Sequence, residues 1–321
     1  MPNCLAVCLM GPTASGKTEV AVQLAEKFAF DIVSVDSALV YRGLNIGTAK
    51  PDSKVLARAP HRLIDIREPE ETYSAGTFVR DAHEQIDAIH AEGRIPLLVG
   101  GTMLYFRSLM GGIADLPEAD PAIRAAIDAE AQASGWPKMH AALAEIDPET
   151  AARIKPRDRQ RIQRALEVHR ISGRTLSDWH SQETETRSDL KFVKIALVPG
   201  SRAELHRRIN ERFEIMLRQG FIEEVAALRD RAGLTADKPS MRSVGYRQLW
   251  AHLDGEYDIA TATAKGQAAT RQLAKRQLTW LRSEPELFEV DPLEANATGA
   301  ISAFLAETGN KYGVVGLTGL C

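Results

Sequence analysis

The sequence predicts an α/β fold in which a parallel sheet is flanked by helices and carries an α-helical insertion domain. Three observations lead to this prediction. Short apolar or β-branched runs alternate with segments of helical periodicity, which is typical of parallel sheets with crossover helices. The first run leads into a glycine-rich pattern that opens a helix. Strand-like runs are missing from residues 114–190, where Ala, Glu and Arg dominate and prolines separate short helical stretches.

The glycine-rich pattern directly follows the apolar run Leu5–Met10. It reads G-x-x-x-x-G-K-[ST] and consists of Gly11, Pro12, Thr13, Ala14, Ser15, Gly16, Lys17 and Thr18. Inward-pointing N–H groups, a helix dipole and the Lys17 cation would hold a diphosphate or polyphosphate, and the Thr18 hydroxyl suits Mg²⁺. An accidental glycine turn is the alternative. The strand before the pattern and the helix after it favour a P-loop NTPase-like phosphate site.

Two further strand ends carry polar side chains. The run 31–36 ends on Asp36, and the run 95–102 ends on two glycines and Thr102. Carboxyl ends of parallel strands line the ligand crevice, so both side chains are expected beside the phosphates. A turn or N-cap aspartate is the alternative for Asp36, and a tight turn for the glycines. His61–Ile66 is predicted as another short strand.

The predicted domain organisation has three parts. A P-loop α/β catalytic core comprises residues 1–113 and 191–290, and a strand near residue 192 rejoins the first sheet. Residues 114–190 form the α-helical insertion. Beyond Glu284 only a Gly/Ala-rich tail with one possible short helix is predicted, and residues 291–321 are assigned to this C-terminal tail.

Composition excludes several classes of protein. A net charge of −3 argues against a wholly basic nucleic-acid coat, although a local basic surface stays possible. The three cysteines are too few and too scattered for a disulfide scaffold, and no Cys/His spacing suits zinc. This cysteine usage favours a reducing cytoplasm. No run resembles a signal peptide or a membrane span, so no membrane partner is expected.

The insertion contains the most positively charged stretch of the chain. Between Arg153 and Arg174 eight basic residues stand against Asp158 and Glu167. A solvated helix face is the usual explanation for such a run. Glutamines interleaved with the arginines add side chains that read bases, which favours a nucleic-acid surface.

Two later helices add candidate cations. The amphipathic segment Leu205–Leu217 places Arg208 and Arg212 one turn apart, where they could clamp a diphosphate or face solvent. The helix Thr270–Arg282 carries basic residues on one side, and Trp280 offers a flat ring. Phosphate-backbone contact with base stacking would use both features. A loop that enters a helix near residue 245 offers a glycine and a tyrosine that could admit a ligand and stack on it.

Together these motifs resemble the tRNA dimethylallyltransferase family. The resemblance is carried by Gly11–Thr18, Val35–Arg42, Gly47–Pro51, His61–Ile66, Leu98–Tyr105, Gln160–Glu167, Ser243–Gln248 and Thr270–Arg282. These stretches follow the family's order and span most of the chain, and only the phosphate loop is shared widely with other folds. Relatives in eukaryotes carry a C-terminal zinc finger for which this chain has no ligands. The chain therefore resembles the bacterial form.

The resemblance implies transfer of a dimethylallyl group from dimethylallyl diphosphate to N6 of the adenosine at tRNA position 37, with release of diphosphate and with Mg²⁺ as cofactor near Thr18. It implies that the phosphate loop binds the diphosphate and that Asp36 accepts the proton from N6. Thr102 would orient the leaving group or the amine. Arg212 would cover the diphosphate, with Arg208 as the less favoured choice.

The partner that the resemblance implies is the anticodon stem-loop of tRNA, whose stacked adenine must be flipped out to react. The insertion would clasp the anticodon stem, and the chain is expected to act as a cytoplasmic monomer. The residues implied to touch RNA are Asp36, Ser37, Ala38, Leu39, Thr102, Arg124, Gln160, Arg161, Ile162, Gln163, Arg164, Met241, Arg242, Ser243, Val244, Gly245, Tyr246, Ala274, Lys275, Arg276, Gln277, Leu278, Thr279, Trp280 and Leu281.

Two other functions are weighed against this one. A P-loop small-molecule or nucleoside kinase would use the same loop and strand-end aspartate for phosphoryl transfer from ATP, but it leaves the arginine-rich insertion without a role. A nucleotide-switched RNA-binding protein would use the basic surfaces, but it leaves the positions of Asp36 and Thr102 unexplained.

Overall fold

The computed structural model describes residues 4–112, 114, 116–181, 187, 189–312 and 315–317. The chain divides into two compact units. The first consists of Met1–Met110 and Arg187–Cys321, and the second of Gly111–Thr186. The first unit contains the sheet, and the second is built from helices.

Six parallel strands form the sheet of the first unit, in the order β3-β2-β4-β1-β5-β6. Their bounds are β1 Cys4–Met10, β2 Phe30–Val35, β3 His61–Arg62, β4 Ile95–Gly100, β5 Leu190–Leu197 and β6 Leu287–Val290. β1 is central, and Met10 pairs with Gly100 on one side and Ala196 on the other. Residues 5–10 are at most 3% exposed, as expected for a strand covered on both faces. The α/β prediction with a parallel sheet is confirmed.

The helices account for most of the remaining described chain. In chain order they are α1 Lys17–Lys27, α2 Ser53–Arg58, α3 Ala75–Ala91, α4 Met103–Gly111, α5 Pro121–Ser134, α6 Trp136–Ile146, α7 Pro148–Arg153, α8 Arg159–Ser172, α9 Leu176–Ser181, α10 Arg202–Arg218, α11 Phe221–Arg229, α12 Tyr246–Leu253, α13 Ile259–Leu281 and α14 Ala297–Tyr312. Several begin at an Asp or Ser whose side chain accepts N–H bonds from the first turn, which satisfies orphan donors; these caps are Asp52, Ser74, Asp120, Asp147, Asp158, Ser201 and Asp258. No described helix has the length and apolarity that crossing a bilayer requires.

The core of the first unit surrounds β1. Leu9, Ile32 and Leu97 from three neighbouring strands are fully buried, together with Leu24 of α1 and Leu305 of α14. Parallel strands bring their carboxyl ends to one edge of the sheet. The segments that follow β1, β2 and β4 therefore lie next to one another.

The predicted strand His61–Ile66 is shorter in the structure. β3 ends at Arg62, because Leu63 and Asp65 adopt left-handed backbone conformations with φ of 61° and 54°. The backbone N–H of Ile66 donates to the carbonyl oxygen of Val40 instead of a strand partner. The second half of His61–Ile66 therefore belongs to a loop that packs on the segment after β2.

The segment beyond Glu284 was predicted as a tail with one possible short helix, but it contains a strand and a long helix. β6 pairs in parallel with β5, from Lys194 opposite Leu287 to Leu197 opposite Val290. α14 then buries Ile301 and Leu305 in the same core as β1. The high Gly and Ala content masked a helix whose buried face carries only a few large side chains.

The second unit is helical, as the composition of the insertion predicts. Ile127 of α5, Leu143 of α6 and Ile162 and Leu166 of α8 form its buried core. α8 ends at Gly173, whose φ of 70° is the left-handed conformation that terminates many helices.

Candidate active site

The phosphate-binding loop connects β1 to α1. Ala14 and Gly16 adopt left-handed conformations with φ of 64° and 88°, and α1 begins at Lys17. The first N–H groups of a helix have no partner within the helix, and with the helix dipole they form an anion site. A Cβ on Gly11 would lie 2.9 Å from the Ser15 hydroxyl, so this close approach favours glycine.

The Lys17 ammonium is turned towards the loop. Its Nζ donates to the carbonyl oxygens of Gly11 (2.9 Å) and Pro12 (2.7 Å). Burial, and secondly the charge of Arg212, lowers the pKa of Lys17 to about 7, while Asp36 acts in the opposite direction. The free protein therefore holds this charge at a cost, and an anion beside Nζ would stabilise the charged form.

Two arginines of α10 add positive charge. Arg212 donates from Nη2 to the carbonyl oxygen of Thr48 (3.3 Å). Burial lowers the pKa of Arg212, Asp36 opposes that shift, and Arg208 adds to it. Arg208 approaches the loop closely, since a Cβ on Gly16 would lie 3.7 Å from its Nη2. Both guanidinium groups line the same cavity as the loop.

Asp36 immediately follows β2, and its two carboxylate oxygens differ. Oδ1 accepts hydrogen bonds from the backbone N–H groups of Ala38 (2.8 Å) and Leu39 (3.2 Å). The turn interpretation of this aspartate therefore holds for one oxygen. Within the described chain Oδ2 accepts no hydrogen bond, and Asp36 lines the cavity. Oδ2 is thus free to accept a proton.

Thr102 joins the ends of β2 and β4. Its Oγ1 accepts from the backbone N–H of Ser37 (3.1 Å), and its own N–H donates to the carbonyl oxygen of Val35 (3.3 Å). The sequence placed Asp36 and Thr102 beside the phosphate loop, and the structure brings all three to one cavity of about 1370 Å³. Their chemical roles stay predictions.

The cavity also has an apolar wall. Leu104 is 53% exposed and Ile215 44% exposed, and both line the cavity together with Ile46 and Val244. Large apolar side chains left open to solvent beside convergent polar groups are typical of a ligand site. This site has room for an apolar group next to a bound diphosphate.

The residues implied to touch RNA fall into three groups by exposure. Side chains open to solvent are Ser37, Gln160, Arg161, Arg242, Lys275, Arg276 and Thr279. Half-buried residues are Asp36, Ala38, Leu39, Thr102, Arg124, Gln163, Arg164, Ser243, Val244, Leu278 and Trp280. Fully buried residues are Ile162, Met241, Gly245, Tyr246, Ala274, Gln277 and Leu281. The last group packs against protein, although Tyr246 and Gln277 also line the cavity.

Tyr246 is buried, and both its hydroxyl and its ring have partners within the protein. Its hydroxyl donates to Oε1 of Glu224 (2.5 Å), and its ring packs edge-to-face on Phe221 at 4.9 Å. A Cβ on Gly245 would lie 2.8 Å from the Phe221 ring. The glycine and the tyrosine ring thus pack against protein, while Ser243, Val244 and Tyr246 line the cavity; the opening for a ligand at this point stays a prediction.

Glu224 of α11 is a site residue that sequence reasoning missed. Its carboxylate accepts from the N–H groups of Asn45 (3.0 Å), Ile46 (2.7 Å) and Gly47 (3.1 Å). This contact holds the loop whose Thr48 carbonyl receives Arg212. A glutamate on an amphipathic helix gives no sequence signal that distinguishes it from a solvated one.

α13 presents two different sides. Lys275, Arg276 and Thr279 are exposed, whereas Gln277 is 8% exposed and bonds the phosphate loop and the end of β4. Arg271, one of the basic residues of the predicted helix Thr270–Arg282, donates to Oδ1 of Asn210 (2.7 Å) and thus joins α13 to α10. The available basic surface of this helix is smaller than the sequence implies.

The charge run of the insertion is partly neutralised within the second unit. Arg124 and Arg164 both bond the buried carboxylate of Glu167, at 2.8 and 2.7 Å. Burial raises the pKa of Glu167, but the bonds from these arginines outweigh it and hold the pKa below its usual value. Arg170 pairs with Glu130 at 2.7 Å. Arg159 likewise lies 3.3 Å from Asp128, so two acidic residues from outside the run reduce the field that the linear count suggests.

A resident metal site built by protein side chains alone is missing from the described residues, where no group of three His, Cys, Asp or Glu is placed to hold an ion. The exposed Thr18 and the half-buried Asp36 line the cavity with oxygen atoms. Mg²⁺ is commonly held by one or two protein oxygens together with substrate phosphates and water. The donor set fits an ion that arrives with a diphosphate.

Known proteins that resemble this chain point to one family. The family model described as IPP transferase matches residues 39–284. The chain is 55% identical over 306 residues to the tRNA dimethylallyltransferase of Thiobacillus denitrificans, covering 94% of this chain and 97% of the relative. It is 59% identical over 276 residues to the enzyme of the same name from Alkalilimnicola ehrlichii, covering 86% and 87%.

Solved structures agree in fold. The tRNA isopentenylpyrophosphate transferase from Bacillus halodurans matches with a TM-score of 0.71 and 33% identity, covering 97% of this chain and 98% of that one. A eukaryotic dimethylallyltransferase acting on tRNA matches with a TM-score of 0.80, 96% and 80% coverage and 22% identity, which supports the fold alone. A family match over most of the chain, with relatives this similar, settles membership: the chain belongs to the IPP transferase family.

Proposed function

We propose that the protein transfers the dimethylallyl group of dimethylallyl diphosphate to N6 of the adenosine at position 37 of tRNA. One observation carries the proposal: a cationic phosphate loop and an aspartate with a free carboxylate oxygen line one cavity. Family membership supplies the class of substrates. The roles of the other cavity residues follow from the phosphate loop as the anion site and Asp36 as the proton acceptor.

The loop stabilises the leaving group. As N6 attacks C1 of the allylic group, the bond between C1 and the diphosphate oxygen breaks and negative charge grows on the diphosphate. Preorganised N–H groups, Lys17, Arg212 and Arg208 stabilise that charge as it develops. Thr102 orients the leaving group or the amine.

Asp36 takes the proton. The nitrogen that has formed the new C–N bond carries one hydrogen too many, and Oδ2 accepts it while Oδ1 stays bonded to the backbone. Diphosphate and prenylated tRNA are the products. No phosphoryl group is transferred.

Mg²⁺ is the proposed cofactor. Thr18, together with water and the diphosphate itself, would hold it. The ion would supply further positive charge to the leaving diphosphate.

The proposed RNA partner is the anticodon stem-loop. Exposed Lys275 and Arg276 of the first unit, and Gln160 and Arg161 of the second, are suited to phosphate and base contacts. The target adenine has to leave its stack to reach a cavity of this kind. The protein is proposed to act as a monomer, and the free thiols of Cys4 and Cys8 support a cytoplasmic location.

Parallel incubations with two labelled donors test the function. Purified protein is incubated with radiolabelled dimethylallyl diphosphate or with ATP labelled in its γ-phosphate, each with and without tRNA. Label should enter tRNA only from the allylic donor, and mass spectrometry of digested tRNA should show N6-isopentenyladenosine. A tRNA with guanosine at position 37 is the control and should stay unlabelled. Phosphorylation of a small molecule by ATP, without prenylation, would contradict the proposal.

A further inference from the structure

Gln277 reaches from α13 into the site, and both ends of its amide are used. Oε1 accepts from the backbone N–H of Thr13 (2.9 Å), and Nε2 donates to the carbonyl oxygen of Gly101 (2.8 Å). The side chain is 8% exposed. One buried amide therefore connects the phosphate loop to the end of β4.

The neighbouring backbone is shaped to admit this amide. A Cβ on Gly101 would lie 2.4 Å from Nε2 of Gln277 and 3.1 Å from the carbonyl oxygen of Gly11. Only glycine leaves room for the bond. Gly101 directly precedes Thr102, so the amide lies between the anion cradle and the side chain that binds the Ser37 N–H.

Three side chains on either side of Gln277 face solvent. Lys275, Arg276 and Thr279 are exposed, while Gln277 between them is not. Both bonds of this amide go to the protein's own backbone, and breaking them would leave the Thr13 N–H and the Gly101 carbonyl oxygen without these partners. The same helix thus carries an exposed basic surface and an internal tie to the catalytic loops.

We propose that Gln277 is a positioning residue that holds the phosphate loop in register with Thr102, and that it makes no RNA contact. This inference rests on the proposed function, in which the loop binds the leaving diphosphate while Thr102 orients the reactants. Displacing such groups by about 1 Å can cost about a hundredfold in rate. Gln277 would act through both loops without touching substrate.

The first test is Gln277→Met, which keeps the length of the side chain and loses both hydrogen bonds. Its matched control is Gln272→Met, the same exchange at an exposed position of α13. We expect kcat per folded molecule to fall by about 10- to 100-fold in Gln277→Met. The tRNA Kd and its salt dependence should stay within about twofold, since phosphate contacts set both. Gln272→Met should behave like the unaltered protein.

The second test is Gly101→Ala, which disrupts the same hydrogen bond at its acceptor residue. The added Cβ should displace the amide and reproduce the loss of kcat. The two substitutions should be strongly non-additive in the double variant, because they break one interaction. If Gln277→Met does not fold, Gly101→Ala still decides the question.

Three results would overturn the inference: full kcat in Gln277→Met or Gly101→Ala, additive losses in the double variant, or a weakened tRNA Kd with kcat retained. Affinity for inorganic diphosphate without tRNA is measured on the same variants by calorimetry. A lower diphosphate affinity supports the inference even if the unaltered protein fails to prenylate tRNA. Failure of the proposed function can therefore be told apart from failure of the role of Gln277.

Discussion

Asp36 combines two tasks that a sequence pattern treats as alternatives. Its Oδ1 closes the turn after β2 through the N–H groups of Ala38 and Leu39, and its Oδ2 stays open to the cavity. A turn aspartate at the end of a strand beside a phosphate loop is therefore also a candidate base. Only the three-dimensional structure shows that the two oxygens have different partners.

Replacing Asp36 separates these tasks. Asp36→Asn keeps an oxygen for the turn and loses the proton acceptor, so kcat should fall by about 10² to 10⁴ while the tRNA Kd and the unfolding transition change little. Asp36→Ala should lower kcat by a similar factor and should also destabilise the turn. Single-turnover prenylation, filter binding and thermal unfolding are the measurements. Unchanged turnover with a large loss of tRNA binding would reassign Asp36 to RNA.

Lys17 predicts a pH dependence with a definite sign. Its pKa of about 7 in the free protein lies below the ordinary value of 10.5 because of burial and the charge of Arg212. A bound diphosphate raises this pKa again, so binding above pH 7 takes up a proton. The affinity for inorganic diphosphate should therefore fall above pH 7, by up to about tenfold per pH unit.

Calorimetry in buffers of different ionisation enthalpy measures this proton uptake. Lys17→Met is the control, since it removes the titrating group and should show a weaker affinity without the extra pH slope. Equal slopes in the two proteins would show that Lys17 is not the group responsible.

At the scale of elements, α13 shows why a helical charge pattern overestimates a binding surface. Arg271 binds Asn210 of α10 and Gln277 binds two loops, so these polar residues are part of the protein's own packing. Lys275 and Arg276 remain free to meet phosphate. The sequence places all of these residues on one helix, but it does not show which of them face another element.

Charge removal on α13 tests this division. Lys275→Ala combined with Arg276→Ala should weaken tRNA binding and reduce the salt slope of log Kd by roughly two units at most, because up to two phosphate contacts are lost. Lys265→Ala on the same helix is the control, since that ammonium lies 3.8 Å from the Tyr257 ring centroid and should leave the slope unchanged. A slope that stays constant in the double variant would mean that this surface is only solvated.

Strand length is a second lesson at this scale. β3 has two residues and β6 has four, and such short edge strands have too little periodicity for a sequence to show where they begin and end. β3 was predicted too long because the backbone conformations of Leu63 and Asp65 carry no sequence signal. β6 was missed because it follows the last recognisable helix.

For the whole molecule, the order of the strands decides the site. β1 lies between β4 and β5, and β2 lies beside β4. The loop after β1 and the residues after β2 and β4 therefore meet, although they are spread along the chain from Gly11 to Thr102. The C-terminal segment completes this architecture, because β6 extends the sheet and α14 covers part of its core.

The structural role of α14 leads to a stability prediction. Leu305 is fully buried, so Leu305→Ala should lower the free energy of unfolding by about 2 to 5 kcal/mol. Glu307→Ala, an exposed change on the same helix, is the control and should stay within about 0.5 kcal/mol. Chemical denaturation measures both. A loss no larger than that of the control would mean that α14 is dispensable for the core.

The sequence by itself determined the parallel α/β fold, the helical insertion, the phosphate loop and the positions of Asp36 and Thr102, because each depends on local periodicity or on a motif beside a strand end. Only the tertiary structure decided which polar side chains are free. Glu224, Gln277 and Glu167 bond backbone or arginine groups far away in the chain, and such pairings depend on how elements pack rather than on local sequence. The same packing turned a predicted tail into a strand and a core helix, since burial of a few large side chains is a property of the assembled sheet.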